Sequence, residues 1–474
     1  MPPSTAEKAK FTTGSTMRHV IVMTMTGSIG LVAIFAVDAL NLFYISLLGQ
    51  AELAAAIGYA GTLMFFTISV AIGLTIATGA MVSRALGAGD REEAAKRGGA
   101  AILIMGVSMG LISAAAWLFI PQLLGLIGAE GRTKQLADDF LRIVFPSIAI
   151  MAVGMCTTGI LRGVGDARRS MYVTLAGGAA AAVLDPLFIF GFDLGLQGAA
   201  ISTVLSRIVL LAVGLHGAIV VHRLVRLPDM AALAAAMRPF FAIGGPAVLT
   251  QLATPVGNAY VTAQIAGFGD AAVAGWAIIG RILPVAFAVI FALSGAVGPI
   301  LGQNYGAKLY PRLAETMRDA LIFTTLYVLA VWGLLALFSG QVAGLFGAQG
   351  EARDLVIFFC TFASASFLFN GALFVSNAAF NNLGFAFYAA ALNWGRSTLG
   401  VIPFVWIGAQ HYGATGVIAG WALGAVVFGV AAVFLCFRVI ASIEQRDRPD
   451  HDRLPGPPPT AHSPFSTGKA ATLG

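Results

Sequence analysis

The sequence predicts an all-α membrane protein of twelve transmembrane helices in two six-helix lobes. Three observations predict this fold. The 474 residues are 58% hydrophobic and only 11% charged, whereas soluble domains are roughly 45–50% apolar and about 25% charged. The apolar residues form continuous runs of membrane-spanning length, and patterns of the first half of the chain recur in the second.

The apolar runs have the length that a helix needs to cross a bilayer. About 20 mostly apolar residues span the hydrocarbon core at a rise of 1.5 Å per residue. Continuous runs indicate helices rather than the ~10-residue alternating strands of a membrane barrel. The runs lie near 20–48, 53–82, 98–120, 136–160, 170–191, 198–221, 239–266, 271–301, 319–338, 355–379, 385–408 and 415–440.

The chain is internally duplicated. The pattern LxxAxGxxxxxxLGA at 74–88 recurs as LxxAxGxxxxxxYGA at 293–307. An even number of runs separates the two copies, so the halves insert in the same orientation and are related by a pseudo-two-fold axis along the membrane normal. The predicted domains are an N-terminal segment (1–17), an N-lobe (18–221), a linker (222–238), a C-lobe (239–441) and a disordered polar tail (442–474).

Positive charge is concentrated on one side of the predicted bundle. Most of the 28 Lys and Arg fall in the termini and in the loops on the same side as the termini, whereas the opposite side holds Arg132, Lys134 and Arg353. The positive-inside rule therefore predicts that both termini lie in the cytoplasm and that the protein lies in the cytoplasmic (inner) membrane. The net charge of +6 is thus a topological signal and does not indicate a nucleic-acid partner.

Two acidic residues, Asp38 and Asp185, lie well inside predicted spans. They are about 10 and 6 residues from the outer ends of their runs, which places both ~9–15 Å below the outer face. Burial in a poorly hydrated bundle favours the protonated form of a carboxyl group, and each carboxylate disfavours the charge of the other. This is the chemistry of a proton-coupled carrier. The alternative is a structural ion pair with Arg142 or Arg207 of the same half.

The second half has no counterpart of these acids, although Arg281 and Arg396 lie in its spans. Each of these arginines either contacts an anionic substrate or bonds to backbone carbonyls at a helix break. Polar residues in the spans are candidates for lining a substrate cavity, and interhelical hydrogen bonding is the alternative role. The cavity candidates are Asn41, Tyr44, Gln251, Asn258, Arg281 and Asn370.

The sequence contains neither a GxxxxGK[ST] motif for ATP nor a pair of histidines at metal-ligand spacing within a span. We therefore predict no enzymatic activity, no cofactor and no metal site. The energy for transport is expected to come from an ion gradient. The loop after the second run also lacks the GxxxDRxGRR-like signature of major facilitator carriers, which share the twelve-span layout.

Five stretches of the chain together form a specific pattern: FAVDALNLFYISLLGQAELAA (35–55), SRALGAGDREEAA (83–95), ILRGVGDARRSMYVT (160–174), LDPLFIFGFDLGLQGAAIST (184–203) and GPILGQNYGA (298–307). In these stretches the chain resembles the multidrug and toxic compound extrusion (MATE) family. The resemblance implies two lobes that form a V around a central cavity. It also implies ion-driven export of amphipathic compounds, which are often organic cations.

Within the family the chain is most similar to the DinF-like branch, and the resemblance implies a coupling site in the first lobe. The residues of that site fall here on Asp38, Asp185 and Thr203, while Thr158 and Ala181 stand where the branch has Asn. Thr158 is an additional candidate for the coupling site. The missing amides make a Na⁺ cage less favourable, so we predict H⁺ coupling, with Na⁺-coupled efflux as the alternative.

Members of the NorM-like branch carry acids in the second lobe instead, near positions that hold Thr254 and Asn370 here. Met23 stands in place of the helix 1 proline common in the family, which leaves Gly27 and Gly30 to permit a bend. We predict a monomeric antiporter that exports amphipathic, cationic drugs or metabolites. The alternative is a flippase or exporter of lipid-linked precursors or anionic metabolites from the same superfamily.

Overall fold

The computed structural model describes residues 9–46 and 51–446, and these residues are almost entirely helical. Within these ranges, ten helices are long and apolar enough to cross a membrane, and a further pair bent by 47° makes another crossing. The last helix continues to Arg446, beyond the predicted start of the tail at 442. The rest of the predicted tail, 447–474, lies outside the described residues.

The N-lobe contains helices α1 to α8. It begins with α1 (Thr16–Ser46), α2 (Ala51–Gly87), α3 (Arg91–Leu118) and the short α4 (Ile120–Leu126). A 3-10 turn joins α5 (Gly131–Val144) to α6 (Ile148–Val164), and the two form one span. The lobe ends with α7 (Ala167–Pro186) and α8 (Gly195–Leu215), each of which continues into a wider π-helical turn.

The C-lobe repeats this order. Its helices are α9 (Met230–Ala266), the bent pair α10 (Asp270–Ala286) and α11 (Ala288–Gly306), α12 (Tyr310–Leu337), the short α13 (Ser339–Leu345), α14 (Gly350–Thr361), α15 (Phe367–Leu383), α16 (Ala386–Ser397) and α17 (Ile402–Arg446). The short α4 and α13 occupy equivalent places. Gly165 and Gly384 follow α6 and α15 with φ of 90° and 93°. The two-lobe fold predicted from the duplication is therefore confirmed.

The helix α17 contains the end of one crossing and the whole of the next. Gly413 has φ 60° and ψ −146° in its interior, and the chain reverses direction there. A Cβ on Gly416 would lie 2.0 Å from Gly408 O, and one on Gly424 would lie 1.9 Å from Gly400 O. The two arms are thus packed against each other through glycines. With the stretch Ala386–Arg446 counted as two crossings, the described residues make the twelve that the sequence predicts.

The helix α9 begins at Met230, within the predicted linker 222–238. The segment MAALAAAM at 230–237 consists of strong helix formers. The Asp229 carboxylate caps the helix by accepting a hydrogen bond from Ala232 N at 2.7 Å. The shorter connection before α9 crosses α3, where Arg226 N donates to Ala95 O at 3.0 Å. Local helix propensity thus extends α9 beyond its apolar run.

The two lobes meet at the end of the bundle that carries the basic loops 88–90, 165–166, 307–309 and 384–385, called the basic side below. Glycines bring α2 and α11 into backbone contact there. A Cβ on Gly87 would lie 2.0 Å from Gln303 O, and one on Gly306 would lie 2.0 Å from Arg84 O. The structure is therefore closed between the lobes on the basic side.

The segment Ala9–Gly14, called the N-terminal strap, lies across this junction. Phe11 is fully buried, and its backbone N donates a hydrogen bond to Gln303 Oε1 of the C-lobe at 2.8 Å. Lys10 Nζ donates to Gly165 O of the N-lobe at 2.7 Å. The strap thus contacts both lobes.

Candidate functional site

A buried carboxyl group marks the N-lobe. Asp185 of α7 is 1% exposed, and its Oδ2 accepts a hydrogen bond from Asn41 Nδ2 of α1 at 3.0 Å. Its Oδ1 is buried and has no hydrogen-bond partner among the described residues. Asp38 lies on α1 one helical turn before Asn41, and its side chain lies outside the described part of the chain. The Asp185 carboxyl is therefore held by one neutral donor.

Asp185 lies where α7 loses its regular hydrogen bonding. The next residue, Pro186, has no backbone N–H to donate, and Leu187–Gly191 form a π-helical turn. Single π-helical turns widen a helix and are frequent at functional sites. The Asp-Pro pair therefore places the carboxyl at a distortion of the helix rather than within a uniform span.

Ser202, rather than Thr203, has its hydroxyl close to Asp185. The Ser202 hydroxyl is buried and lies near the carboxyl but outside hydrogen-bond geometry, and it has no partner among the described residues. Thr203 Oγ1 donates to Ala199 O of its own helix at 2.8 Å. The two residues are neighbours on α8, so Ser202 lies on the same helical turn as the predicted Thr203. Ser202 is an additional residue of the site, and only its place beside Thr203 pointed to it.

Thr158 belongs to a different polar cluster. Its Oγ1 donates to Met155 O at 2.7 Å and accepts a hydrogen bond from Arg162 Nη2 at 3.2 Å. Among the described residues, no hydrogen bond joins Thr158 to Asp185. The structure therefore does not bring this candidate into contact with the acid.

The two N-lobe arginines considered as partners of Asp185 bond elsewhere. Arg207 is buried and donates to Ser147 Oγ at 2.7 Å, at the break between α5 and α6. Arg142 forms an ion pair with Asp138 at 2.9 Å. The structural ion pair between Asp185 and either arginine is therefore not formed in this conformation.

The C-lobe contains a buried arginine, Arg396 of α16, which is 5% exposed. Its Nη2 donates a hydrogen bond to Thr254 Oγ1 of α9 at 3.0 Å. Its Nε is buried without a partner in the described part of the chain, and so is the hydroxyl of the next residue, Ser397. Unlike Arg142, Arg396 has no carboxylate partner among the described residues.

The residues predicted to line a substrate cavity are spread over both lobes. Asn41 bonds to Asp185, and Tyr44 packs edge-on against Phe190 with 6.2 Å between ring centroids. The accessibility of the group differs from residue to residue: Asn258 and Arg281 are exposed, Asn41, Tyr44 and Gln251 are half-buried, and Asn370 is buried. Of the C-lobe candidates, Asn258 and Arg281 are thus the most exposed.

Comparison with known proteins identifies the family. The MatE family model matches residues 20–187 and 246–407, one segment in each lobe. The chain belongs to the MATE family of transporters. It is therefore a multi-pass membrane protein that transports small molecules, and not an enzyme. The assignment to the DinF-like branch stays a prediction.

Two relatives and one solved structure cover nearly the whole chain. The FAD transporter of Shewanella oneidensis is 25% identical over 433 residues, 90% of this chain and 96% of that protein. The multidrug export protein MepA of Staphylococcus aureus strain N315 is 26% identical over 434 residues, 89% and 93% of the two chains. The crystal structure of the Vibrio cholerae MATE transporter VcmN in the bent form matches with a TM-score of 0.85 and 26% identity, covering 90% and 97%.

Proposed function

We propose that this MATE transporter is a proton-coupled antiporter that exports amphipathic organic compounds across the cytoplasmic membrane by alternating access. The observation that carries the proposal is the Asp185 carboxyl, which is buried and bonded to the neutral Asn41. A carboxyl group that is removed from water and not paired with a cation binds a proton readily. Asp185 is therefore suited to take up and release the coupling proton.

Asp38 is the second proton-binding group in this proposal. Residues three apart share a face of a helix, so Asp38 is expected on the same face of α1 as Asn41, which bonds to Asp185. A proton on one carboxyl removes the repulsion between the two negative charges, so the pair binds its first proton more readily than either acid would alone. The two acids would titrate as a coupled pair, so a change in proton concentration would affect both α1 and α7.

The orientation predicted from the basic loops indicates which conformation of the transport cycle the structure corresponds to. With the basic side in the cytoplasm, closure between the lobes on that side leaves the cleft open to the outside. Protons then reach Asp185 and Asp38 from the outside while substrate leaves. Each charge that crosses 100 mV supplies ~2.3 kcal/mol, so one proton supports a useful but modest gradient of substrate.

Two features support H⁺ over Na⁺. A hard cation requires several oxygen ligands, and Thr158, the candidate for an extra oxygen, bonds to Arg162 instead. Asn41 directs its amide nitrogen at Asp185, so this side chain acts as a donor to the carboxyl. A proton needs only the carboxyl oxygen itself.

Transport by purified protein in liposomes tests the coupling ion. A gradient of pH or of Na⁺ is imposed separately, and dye movement is followed for wild type, Asp185→Asn and Asp38→Asn. We expect dye movement with the pH gradient alone and its loss in both variants. Asp354→Asn, which removes an exposed acid of α14, is the control and is expected to behave like wild type. Movement driven only by Na⁺, or wild-type coupling in both variants, would contradict the proposal.

Two classes of substrate remain as proposals. The first is the amphipathic, cationic compound predicted from the sequence, and the relative named as a multidrug export protein supports it. The second is an anionic metabolite, and two observations favour it. The buried Arg396 has no carboxylate partner within the described ranges, and one relative is named as a transporter of FAD, which carries phosphates. Growth of cells that overexpress the protein on a drug panel, together with flavin measurements in their medium, separates the two classes.

A further inference from the structure

Arg396 places a positive charge in the C-lobe, and no carboxylate among the described residues pairs with it. A guanidinium group offers five N–H donors, and the described residues use one of them, in the bond from Nη2 to Thr254 Oγ1. The Nε–H is buried and unpartnered, and the adjacent Ser397 hydroxyl is in the same condition. A buried charge without a partner is strongly unfavourable, so this arrangement calls for an anion.

Arg207 of the N-lobe is a buried arginine with a structural role, and its hydrogen bonds can be compared with those of Arg396. Arg207 is 7% exposed, close to the 5% of Arg396. Its Nη1 donates to Val144 O at 3.1 Å and to Ser147 Oγ at 2.7 Å, and these bonds close the break between α5 and α6. Among the described residues Arg396 donates to no backbone carbonyl at a helix break, and its acceptor is the side-chain Oγ1 of Thr254 in α9. A purely structural role accounts for Arg207 but leaves the free donors of Arg396 unexplained.

Arg396 lies well along its helix from the basic side. It lies about ten residues from the start of α16, which corresponds to ~15 Å from the basic side. The helix α9 packs against the N-lobe at Val248, where a Cβ on Gly73 of α2 would lie only 2.5 Å from the Val248 backbone N. Thr254 lies about six residues, or ~9 Å, farther from the basic side. The Arg396–Thr254 pair is therefore beyond the closure between the lobes.

The packing around Arg396 keeps its hydroxyl neighbours close to α9. Gly257 of α9 faces Ser397, and a Cβ there would lie 3.1 Å from Ser397 Cβ. The absence of a side chain at Gly257 lets α16 approach α9 at the point where Thr254 and Arg396 meet. Two hydroxyl groups and a guanidinium group are thereby brought together, which is a donor set suited to carboxylate or phosphate oxygens.

We infer that Arg396, together with Thr254 and Ser397, binds a carboxylate or phosphate group of the transported compound. The inference rests on the proposed function in one respect, since it assumes that the compound passes between the lobes. It assigns the C-lobe the recognition of the anionic group, whereas the N-lobe acids carry the proton. The substrate is then an amphipathic molecule with at least one negative group.

Equilibrium binding of two ligand pairs to the purified full-length protein tests the inference. One pair is an amphipathic fluorescent dye with a free carboxylate and its methyl ester, and the other is FMN and riboflavin, which differ by one phosphate. Wild type is expected to bind the acidic member of at least one pair more tightly. Arg396→Gln is expected to weaken binding of the acidic member about 10- to 100-fold, which is the usual loss when a charged hydrogen-bond partner is removed. The affinity for the neutral member is expected to change less than about 2-fold.

Two further variants complete the design. Arg396→Lys keeps the positive charge but not the planar arrangement of N–H donors. It is therefore expected to weaken binding of the acidic member less than Arg396→Gln does. It also serves as the test if Arg396→Gln does not fold. Arg353→Gln removes an exposed arginine of the same lobe and is expected to bind all four ligands like wild type.

The outcomes separate this inference from the proposed function. Equal affinity of wild type for both members of each pair would overturn the inference. An equal loss of affinity for the acidic and neutral members in Arg396→Gln would overturn it as well. The dye pair reports on carboxylate and the flavin pair on phosphate, so the responding pair identifies the anionic group. No ion gradient is present in these measurements. A failure of proton coupling in liposomes would therefore leave the binding result unaffected.

Discussion

Gln303 of α11 accepts a hydrogen bond from Phe11 N of the N-terminal strap at 2.8 Å and donates one to Gly163 O of α6 at 2.7 Å. One side chain of the C-lobe thus joins the strap to the N-lobe. Gln303 is 1% exposed, so both bonds are shielded from water. A transporter that alternates between two states must break this connection to open on the basic side.

Replacement of Gln303 by Leu is expected to favour opening on the basic side. The variant keeps the approximate volume but leaves Phe11 N and Gly163 O buried and unpartnered, at a cost of ~1–3 kcal/mol for each group. Distances between spin labels at Arg168→Cys and Arg318→Cys, which are exposed positions on the two lobes, measure the opening. The three native cysteines are buried, so the labels are selective. A longer distance in Gln303→Leu is expected.

A matched variant controls for the loss of a glutamine. Gln349 is exposed on the opposite side of the bundle, and Gln349→Leu is expected to leave the label distance unchanged. If Gln303→Leu gives the wild-type distance distribution, the bonds of Gln303 do not hold the lobes together.

Addition of a methyl group at Gly306 is expected to prevent closure on the basic side. A Cβ at this position would lie 2.0 Å from Arg84 O, and a clash between backbone atoms cannot be relieved by a side-chain rotation. Gly306→Ala is therefore expected to lengthen the same label distance and to reduce transport at least about 10-fold, since a shift of 1.4 kcal/mol changes an equilibrium tenfold. In Gly280→Ala no atom lies within 4 Å of the new Cβ, so this variant is expected to transport normally. Normal transport by Gly306→Ala would show that the close approach is dispensable.

The sequence predicts the lobes and the acid but not their connections. The apolar runs and the duplication determine twelve crossings, and Asp185 is noticeable because acids are scarce in those runs. Its bond to Asn41 joins residues 144 positions apart, so it depends on how α1 packs against α7. Phe11 lies in the predicted N-terminal segment outside the lobes, yet it is fully buried at a contact with Gln303, 292 positions away. Such contacts follow from tertiary packing, which local patterns do not encode.

The contact between Asp166 and His222, a residue of the predicted linker, predicts how stability depends on pH. Asp166, between the spans of α6 and α7, accepts hydrogen bonds from Arg169 and from His222 Nε2, the latter at 2.8 Å. Burial raises the pKa of the Asp166 carboxyl, but these bonds and the Arg169 charge outweigh it and hold the pKa below its usual value. A lowered pKa stabilises the fold above the pKa of the unfolded chain, and this contribution is lost as the pH falls through the folded pKa.

Asp166→Asn is therefore expected to be less stable than wild type at pH 7, by about 0.5–1 kcal/mol because the Arg169 partner is partly exposed. The difference should begin to shrink near pH 4, the usual pKa of an Asp in the unfolded chain, and disappear as the pH falls through the lower folded pKa. Thermal unfolding in detergent at pH 7, 5 and about 2.5 measures the difference above and below this pH window. Asn still caps α7, so the comparison isolates the charge. A constant difference at all three pH values would exclude the carboxylate as its source.

The two buried arginines are expected to respond in opposite directions to the same substitution. Arg207→Met leaves Val144 O and Ser147 Oγ without their partner, so the free energy of unfolding is expected to fall by ~2–4 kcal/mol. Arg396→Met removes a charge whose acceptor among the described residues is the neutral Thr254. Replacement of an uncompensated buried charge by an apolar side chain is neutral or stabilising by ~1–4 kcal/mol. Thermal unfolding of the two variants measures the contrast. A residue that serves to bind an anion is not expected to stabilise the protein when no anion is bound. A loss of stability in Arg396→Met as large as that in Arg207→Met would therefore contradict this expectation and would mean that both arginines support the fold.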